Sequence, residues 1–483
     1  MRGNYIDGEW TIARGGRTAP NRNPAHIDMI LGEFPDSTAA DVADAVAAAN
    51  VAFPAWRALP MPRRGEILHR AAEMISQRRG EIAEAITSEQ GKTVREAYGE
   101  VGWGASMLRY YATQALQPEG DVFPTSGAGM LLYTRREPIG AVGVITPWNF
   151  PFAIPIWKVA PALVYGDTVI LKPAELTPLS AALLTSILAD AGLPAGVLNL
   201  VQGQGSVVGE ALAGHRQLAA LSFTGSSAVG RDIRRRLLER STRVQLDLGG
   251  KNPMIVLRDA DIDQAVRWTV SGAMRMAGQK STAISRVIVE APVLDEFTAR
   301  LVASVRALRV GDGMEPGTFV GPVVSEAQQA NVLDYLHIGI SEGAQILTGG
   351  DALEHGSYAE GYYVAPTVFA NVRPNTRIMQ EEIFGPVIGV IGAHDVEDAI
   401  AIANSVPYRL SASLATRDLG AALRYVEAIA AGVVHVNCES STMDFHAPFG
   451  GKKASILHSR ETGQAGRDFY TETKTVYLRG ISE

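Results

Sequence analysis

The sequence predicts an α/β protein organised around a doubly wound, Rossmann-type nucleotide-binding sheet, and three observations carry that prediction. From Ala141 to Val256, short β-branched or Leu-rich runs alternate with helical patterns, the signature of parallel strands joined by crossover helices. Two glycine clusters, from Gly203 to Gly209 and from Gly225 to Gly230, each follow a predicted strand and open a predicted helix. A second strand-and-helix region runs from about Leu248 to Asp444, including the strand-like runs Arg286-Val287-Ile288-Val289 and Val387-Ile388-Gly389-Val390-Ile391.

At 483 residues the chain exceeds one ordinary domain, so two large lobes and a small appendage are expected. A composition of 46% hydrophobic residues supplies ample core. A net charge of −7 argues against a nucleic-acid surface, and the one dense basic run, Arg231 to Arg236, reads as the solvated side of a helix. The single cysteine, Cys438, excludes an internal disulfide or a thiolate zinc site and reads as a buried strand thiol. No metal is expected, for the histidines lack ligand spacing; His446 and His458 are the two of interest. The start Met1-Arg2-Gly3-Asn4-Tyr5 has no apolar signal core and no run of about 18 apolar residues occurs, which predicts a cytoplasmic enzyme without a membrane partner.

Taken in order, Ser37-Thr38-Ala39-Ala40-Asp41 is a helix start, and Val42, Val46, Ala49 and Phe53 follow at helical spacing, predicting a helix that ends before Pro54. Helical patterns continue from Arg63 to Arg79, Glu81 to Glu89 and Val94 to about Leu116. Between Gly120 and Gly140 the texture becomes that of a β-hairpin, and the tail Thr473 to Leu478 is strand-like. Isolated strands of this kind are unstable alone, so both are expected to pair across subunits in a homodimer or homotetramer. The strands and helices that follow are Ala141 to Ile145, a helix near Ile156 to Tyr165, Thr168 to Leu171, a helix from Pro178 to Ala191, Val197 to Val201, a further helix, and Ala219 to Phe223.

Either glycine cluster alone could be a tight turn. Two after successive parallel strands favour a nucleotide, with Gly205, Gly209, Gly225 and Gly230 allowing close approach. The helix amides beside the Ser226 hydroxyl suit a pyrophosphate.

Six segments then resemble the aldehyde dehydrogenase superfamily: Ile145-Thr146-Pro147-Trp148-Asn149-Phe150-Pro151, Leu171 to Pro178, Phe223-Thr224-Gly225-Ser226, Leu248 to Pro253, Glu381 to Pro386 and Pro448-Phe449-Gly450-Gly451. They stand in family order across nearly the whole chain. The closest likeness is to the α-ketoglutarate and succinate semialdehyde dehydrogenases. The resemblance implies a Rossmann-type NAD(P)-binding domain (1–119, 141–247 and 446–465), an α/β catalytic domain (248–445) and a small β oligomerisation appendage (120–140 and 466–483).

It also implies roles. Asn149 would donate to an oxyanion, together with the backbone amide of Ser281; by its chemistry alone Asn149 could equally be a turn residue. Lys172 and Glu175 would hold the adenosine ribose, Glu175 favouring NAD over NADP by repelling a 2′-phosphate, though NADP remains open. Thr146, Trp148 and Leu248 would line the cofactor, Glu382 would grip the nicotinamide ribose and Phe384 would pack nearby; Phe384 could also be ordinary core. Arg275 would clamp a distal substrate carboxylate, or pair with a structural one. Trp157 stands where such enzymes carry a second arginine, and Phe445 and His446 fall on the substrate-pocket loop, where His446 also reads as an ordinary surface histidine.

The sequence departs from the family at both reacting positions. The nucleophile cysteine is Ser281 in Gly278-Gln279-Lys280-Ser281, and the base glutamate is Asp247, one methylene shorter. A hydroxyl needs a neighbouring base before it attacks, and Lys280 is not expected to be that base because sequence neighbours usually point apart. Three readings follow: an NAD-dependent oxidoreductase of small carboxylate-bearing aldehydes working without the thiol, a cysteine-to-serine inactivated form of an ordinary semialdehyde dehydrogenase, or a non-catalytic NAD-binding homologue.

Overall fold

The computed structural model describes residues 3–457 and 459–480, so His458 and the last three residues of the tail fall outside it. Five parallel strands, Ala141–Ile145, Thr168–Lys172, Leu198–Leu200, Ala220–Thr224 and Arg243–Asp247, form the centre of an eight-stranded sheet. Numbered along the chain they lie in the order 3-2-1-4-5, which reverses between Ala141–Ile145 and Ala220–Thr224. Ligand sites in such sheets lie at the carboxyl ends of the strands flanking the reversal, here at Thr146 and Gly225. Every residue of Ala141–Ile145, Thr168–Lys172 and Ala220–Thr224 is buried, which is why these strands read as continuous apolar runs. Antiparallel strands Asn4–Ile6 and Glu9–Thr11 extend one edge, and Ile456–Leu457 the other.

A seven-stranded sheet runs in the order Gln345–Thr348, Thr367–Ala370, Val387–Ala393, Ile284–Glu290, Asn252–Val256, Ser411–Ala415, Val433–Val436, parallel except for its first pair. Helices Met61–Gln77, Arg79–Gln90 and Val94–Gln114 fall where the periodicity puts them.

The first helix differs from expectation, running Ala39–Ala58 straight through Pro54. Pro54 and Asn50, whose carbonyl loses its partner, are both exposed, so water takes up that carbonyl. Beyond the proline, Trp56 is buried and its Nε1 donates to Leu163 O at 3.2 Å, contacts that hold the last turn in place. Arg231, Arg234, Arg235 and Arg236 lie on the exposed side of Ser227–Leu237, whose Ile233 and Leu237 face inward.

The expected pairing of hairpin and tail across subunits is corrected. Val122–Phe123 pairs with Met130–Pro138, and Met130–Pro138 pairs along its length with the tail strand Thr471–Arg479 of the same chain, Thr471 opposite Pro138 and Arg479 opposite Met130. Each segment did need a partner for its strand edge, and the partner is the other segment. Cys438 is also corrected: it is half-buried and lies past the end of Val433–Val436, where Asn437 turns the chain at φ 56°. Among the described residues no helix is long and apolar enough to cross a membrane, and no group of three or more His, Cys, Asp or Glu could hold a metal.

Candidate active site

The segment carrying Ser281 is held in a conformation that ordinary residues resist. Met276, Ala277 and Gly278 have φ of 56°, 52° and 69° in succession, and left-handed backbone at the two non-glycines costs about 1–3 kcal/mol each. One distant side chain, one local side chain and a distant backbone amide hold it. Glu96 Oε1 accepts from Met276 N at 3.0 Å, Gln279 Nε2 donates to Met276 O at 3.1 Å, and Gln279 Oε1 accepts from Val324 N at 3.0 Å. Asn252 Nδ2 then donates to the carbonyls of Ser281 at 2.7 Å and Ala283 at 2.9 Å, tying the segment to the second sheet.

Asn149 approaches from the first sheet, in the loop that follows Ala141–Ile145. Its Nδ2 donates to Gln279 O at 3.0 Å, while its buried Oδ1 has no partner. Two residues not singled out from the sequence fix this loop. Lys92 donates to Asn149 O at 2.7 Å and to Glu100 Oε2 at 2.5 Å, and Glu100 Oε1 accepts from the amides of Phe152 and Ala153 at 3.0 Å. The Lys92–Glu100 pair is sealed from solvent, so losing either member would strand the other charge. The signal available was the capping pattern Thr93-x-x-Glu96 at the start of Val94–Gln114, which marks that helix as the cavity wall.

Ser281 opens on a cavity of about 440 Å³ between Val94–Gln114, the loop after Asn149, Thr318-Phe319 and residues 439–449. The size suits a small organic molecule. The Ser281 hydroxyl makes no hydrogen bond to any described residue. Arg275 and Trp157 both line the cavity. Arg275 is exposed, lies over the Phe319 ring at 6.0 Å and forms no ion pair with any described residue, which disfavours the alternative of a structural salt bridge. Trp157 packs against Trp103 and Phe449, with ring centroids 5.7 and 5.6 Å away.

Phe445 and His446 are not brought to the cavity wall. Phe445 turns its ring to Tyr110, 5.9 Å away, and His446 is exposed; Glu439, Ser441, Met443 and Phe449 supply that wall instead. The expectation that Lys280 and Ser281 point apart does not hold, although Lys280 makes no hydrogen bond to Ser281. Lys280 lines the same cavity as its neighbour Ser281, because the left-handed turn before it breaks the simple alternation of an extended chain.

Asp247 does not line this cavity. Its carboxyl is 1% exposed, Oδ2 accepts from Thr224 Oγ1 at 3.3 Å, and Oδ1 has no partner. Burial first, then the charge of Glu461, push it well above the usual carboxylate range, against the pull of Lys158 and Thr224. Lys158 binds Glu461 directly and donates to Ser222 Oγ at 3.0 Å, making a buried polar cluster that the sequence did not announce.

The expected cofactor residues gather at the carboxyl ends of adjacent strands of the first sheet. Lys172 Nζ meets Glu175 Oε2 at 3.0 Å; burial raises the Glu175 carboxyl, but Lys172 and the amides of Glu175 and Gly205 outweigh it and leave Glu175 below its ordinary value, hence ionised. Thr146 Oγ1 is buried without a partner. Ser226 caps the Ser227–Leu237 helix, its Oγ accepting from Val229 N at 3.3 Å, and Gly225 stands just before it. Gly230 is required by packing, since a Cβ there would lie 2.4 Å from Leu248 Cδ2. Gly205 and Gly209 are not: a side chain would fit at both, at Gly205 no closer than 3.8 Å to Lys172 Nζ. They open a π-helical turn, Gly205–Gly209, rather than the α-helix expected. Nearer Ser281, Glu382 Oε1 accepts from Gly250 N at 3.0 Å, and burial lifts its carboxyl to about 7 against that amide and Lys251. Phe384 is half-buried with φ 60° and meets Trp148 edge-on at 5.3 Å, an arrangement unlike that of an ordinary core ring.

The fold and site thus define a two-sheet α/β protein with a 3-2-1-4-5 nucleotide-binding sheet facing a serine-bearing cavity. Residues 10–476 match the model of the aldehyde dehydrogenase family, and the chain belongs to that family. It is 47% identical, over 99% of its length and 98% of the relative's, to alpha-ketoglutaric semialdehyde dehydrogenase of Bacillus subtilis. It is 40% identical, over 94% of its length and 95% of the relative's, to 2,5-dioxopentanoate dehydrogenase of Saccharolobus solfataricus. A crystal structure of betaine aldehyde dehydrogenase from Staphylococcus aureus in complex with NAD+ matches with a TM-score of 0.97 at 32% identity, covering 100% of this chain and 96% of that one.

Proposed function

We propose that this chain binds NAD and a small, carboxylate-bearing aldehyde, with Ser281 standing where the family's thiol would be. The observation that carries the reading is convergence: Asn149 from the first sheet and Ser281, just before the central strand Ile284–Glu290 of the second, are joined through Gln279 beside one cavity, with Arg275 on its wall. The named substrates of the two curated relatives support an acidic aldehyde.

The first sheet fits a dinucleotide. The ionised Glu175 beside Lys172 would accept from ribose hydroxyls and repel a 2′-phosphate, the unpartnered Thr146 Oγ1 leaves a hydroxyl to be satisfied, and the helix start at Gly225-Ser226 suits a pyrophosphate. Glu382 and Phe384 would lie at the nicotinamide end, with Trp148 and Leu248 against the same groove. Bound there, the cofactor would accept hydride. Asn149 and the Ser281 amide would hold the developing oxyanion.

A semialdehyde panel with NAD and NADP, run on the unaltered protein and on Ser281→Cys, tests the reading. A rise of orders of magnitude in aldehyde oxidation by Ser281→Cys is expected, and an unchanged rate would reject it. The Ser281 hydroxyl without a hydrogen-bonded base favours a second reading, a cofactor-binding homologue without turnover; NAD binding with no aldehyde-dependent NADH from the unaltered protein would identify it. For assembly we infer a dimer or tetramer, since Val122, Phe123, Leu131, Tyr477 and Leu478 are all exposed on the three-stranded sheet. Light scattering on a chain truncated before Asp468 should show loss of assembly.

A further inference from the structure

Lys280 roots a four-carbon stem one residue before Ser281 and lines the same cavity, yet the residue is only 7% exposed. Among the described residues its ammonium makes one hydrogen bond, to Ser441 Oγ at 3.0 Å, and has no carboxylate within ion-pair distance. A neutral hydroxyl returns only part of the solvation that a buried ammonium gives up. Burial accordingly lowers the Lys280 pKa, reinforced by Arg275 and Lys92 and opposed by Glu439 and Glu96.

The donors around this ammonium are unspent. Ser441 Oγ accepts from Lys280, so its own proton is free, and the ammonium keeps two further N–H groups. Of the neighbouring carboxylates, Glu96 is committed, with Oε1 on Met276 N and Oε2 on the amide and hydroxyl of Thr93. Glu439 lines the cavity with Oε2 sealed and unpartnered, so it would repel an anion placed beside it.

We propose that the Lys280 ammonium and the Ser441 hydroxyl seat the distal carboxylate of the substrate, each donating to one of its oxygens. The inference rests on the reading that the Ser281 cavity takes an aldehyde. It makes Lys280, rather than the exposed Arg275, the inner charge partner, and Glu439 confines the anion to the Lys280–Ser441 side. Because Lys280 adjoins the reacting position, its stem also sets chain length: the acceptable substrate is a short semialdehyde whose carboxylate lies a few carbons from the aldehyde.

The test is calorimetric binding of glutarate, a dicarboxylate of the class such an oxidation would produce, against its neutral diamide glutaramide. Neither measurement depends on turnover. The unaltered protein should prefer glutarate, Lys280→Met should weaken glutarate tenfold or more while leaving glutaramide unchanged, and Ser441→Ala, which leaves the lysine in place, should weaken it severalfold. Arg275→Met should have the smaller effect. Equal binding of glutarate and glutaramide to the unaltered protein would reject the acidic-substrate reading as a whole. Glutarate preference that survives both Lys280→Met and Ser441→Ala but disappears in Arg275→Met would overturn this proposal and leave that reading standing.

Discussion

Asn149 Nδ2 donates to the carbonyl of Gln279 at 3.0 Å, bridging the loop after the Ala141–Ile145 strand to the segment that carries Ser281. One N–H of the amide is spent on that register. The other has no partner among the described residues, and under the proposed function it would donate to the substrate oxyanion while the first holds the serine segment in place.

In a Ser281→Cys background, Asn149→Ala should therefore lower kcat/KM by about 10²–10³, the scale of one lost oxyanion donor. The loss should fall mainly on kcat. Steady-state kinetics showing less than a tenfold change would remove Asn149 from this role.

Asp247 yields a prediction about stability. Burial first, then Glu461, raise its carboxyl in the fold well above the value in the unfolded chain, about 3.9. The folded state then binds more protons than the unfolded one, so this group's contribution is fully present below about pH 4 and is lost as pH rises through the raised folded value. Asp247→Asn abolishes that slope. Its thermal midpoint should match the parent near pH 4 and exceed it increasingly as pH rises above about 4; parallel midpoint-against-pH curves would contradict the assignment.

How much of this was legible in the sequence divides along a physical line. The parallel strands could be read because both faces are covered, which leaves continuous apolar runs. The helix through Pro54 was missed because the fate of one carbonyl depends on exposure, and because Trp56 is anchored by Leu163, over a hundred residues away. That Lys280 shares a cavity with Ser281 escapes a local reading for a similar reason: the left-handed Met276-Ala277-Gly278 turn before it is held by Glu96 and, through Gln279, by Val324, distant partners that no local pattern records. Phe445 and Ser441 lie on one irregular loop, where nothing periodic decides which side chain faces the cavity. The hairpin and the tail each showed the need for a partner, but that they pair with one another within the chain is a matter of topology.

Cofactor choice should turn on Glu175. Lys172 and nearby amides keep its carboxyl ionised despite burial, so a 2′-phosphate would meet a negative charge. Fluorescence titration should show NAD bound more tightly than NADP, and Glu175→Gln should narrow the gap chiefly by improving NADP. Tighter NADP binding to the unaltered protein would reverse the assignment.

The last prediction concerns the serine itself. An alcohol becomes a useful nucleophile near neutral pH only when a base takes its proton in the same step. The Ser281 hydroxyl has no hydrogen-bond partner among the described residues, Asp247 does not line the cavity and burial raises its carboxyl well above the usual range, and the neighbouring Lys280 is engaged with Ser441. Among the described residues no group hydrogen-bonds the hydroxyl and could take its proton. Mixing the protein with NAD and a carboxylated semialdehyde should therefore leave Ser281 unacylated by intact-mass spectrometry. In Ser281→Cys the nucleophile can ionise without a strong base, since an ordinary thiol pKa lies near about 8.5, and the same experiment should trap a thioester while NADH appears. Stoichiometric acylation of Ser281 in the unaltered protein would show that an activating base reaches it in the ternary complex, and the thiol-free reading of the site would fall.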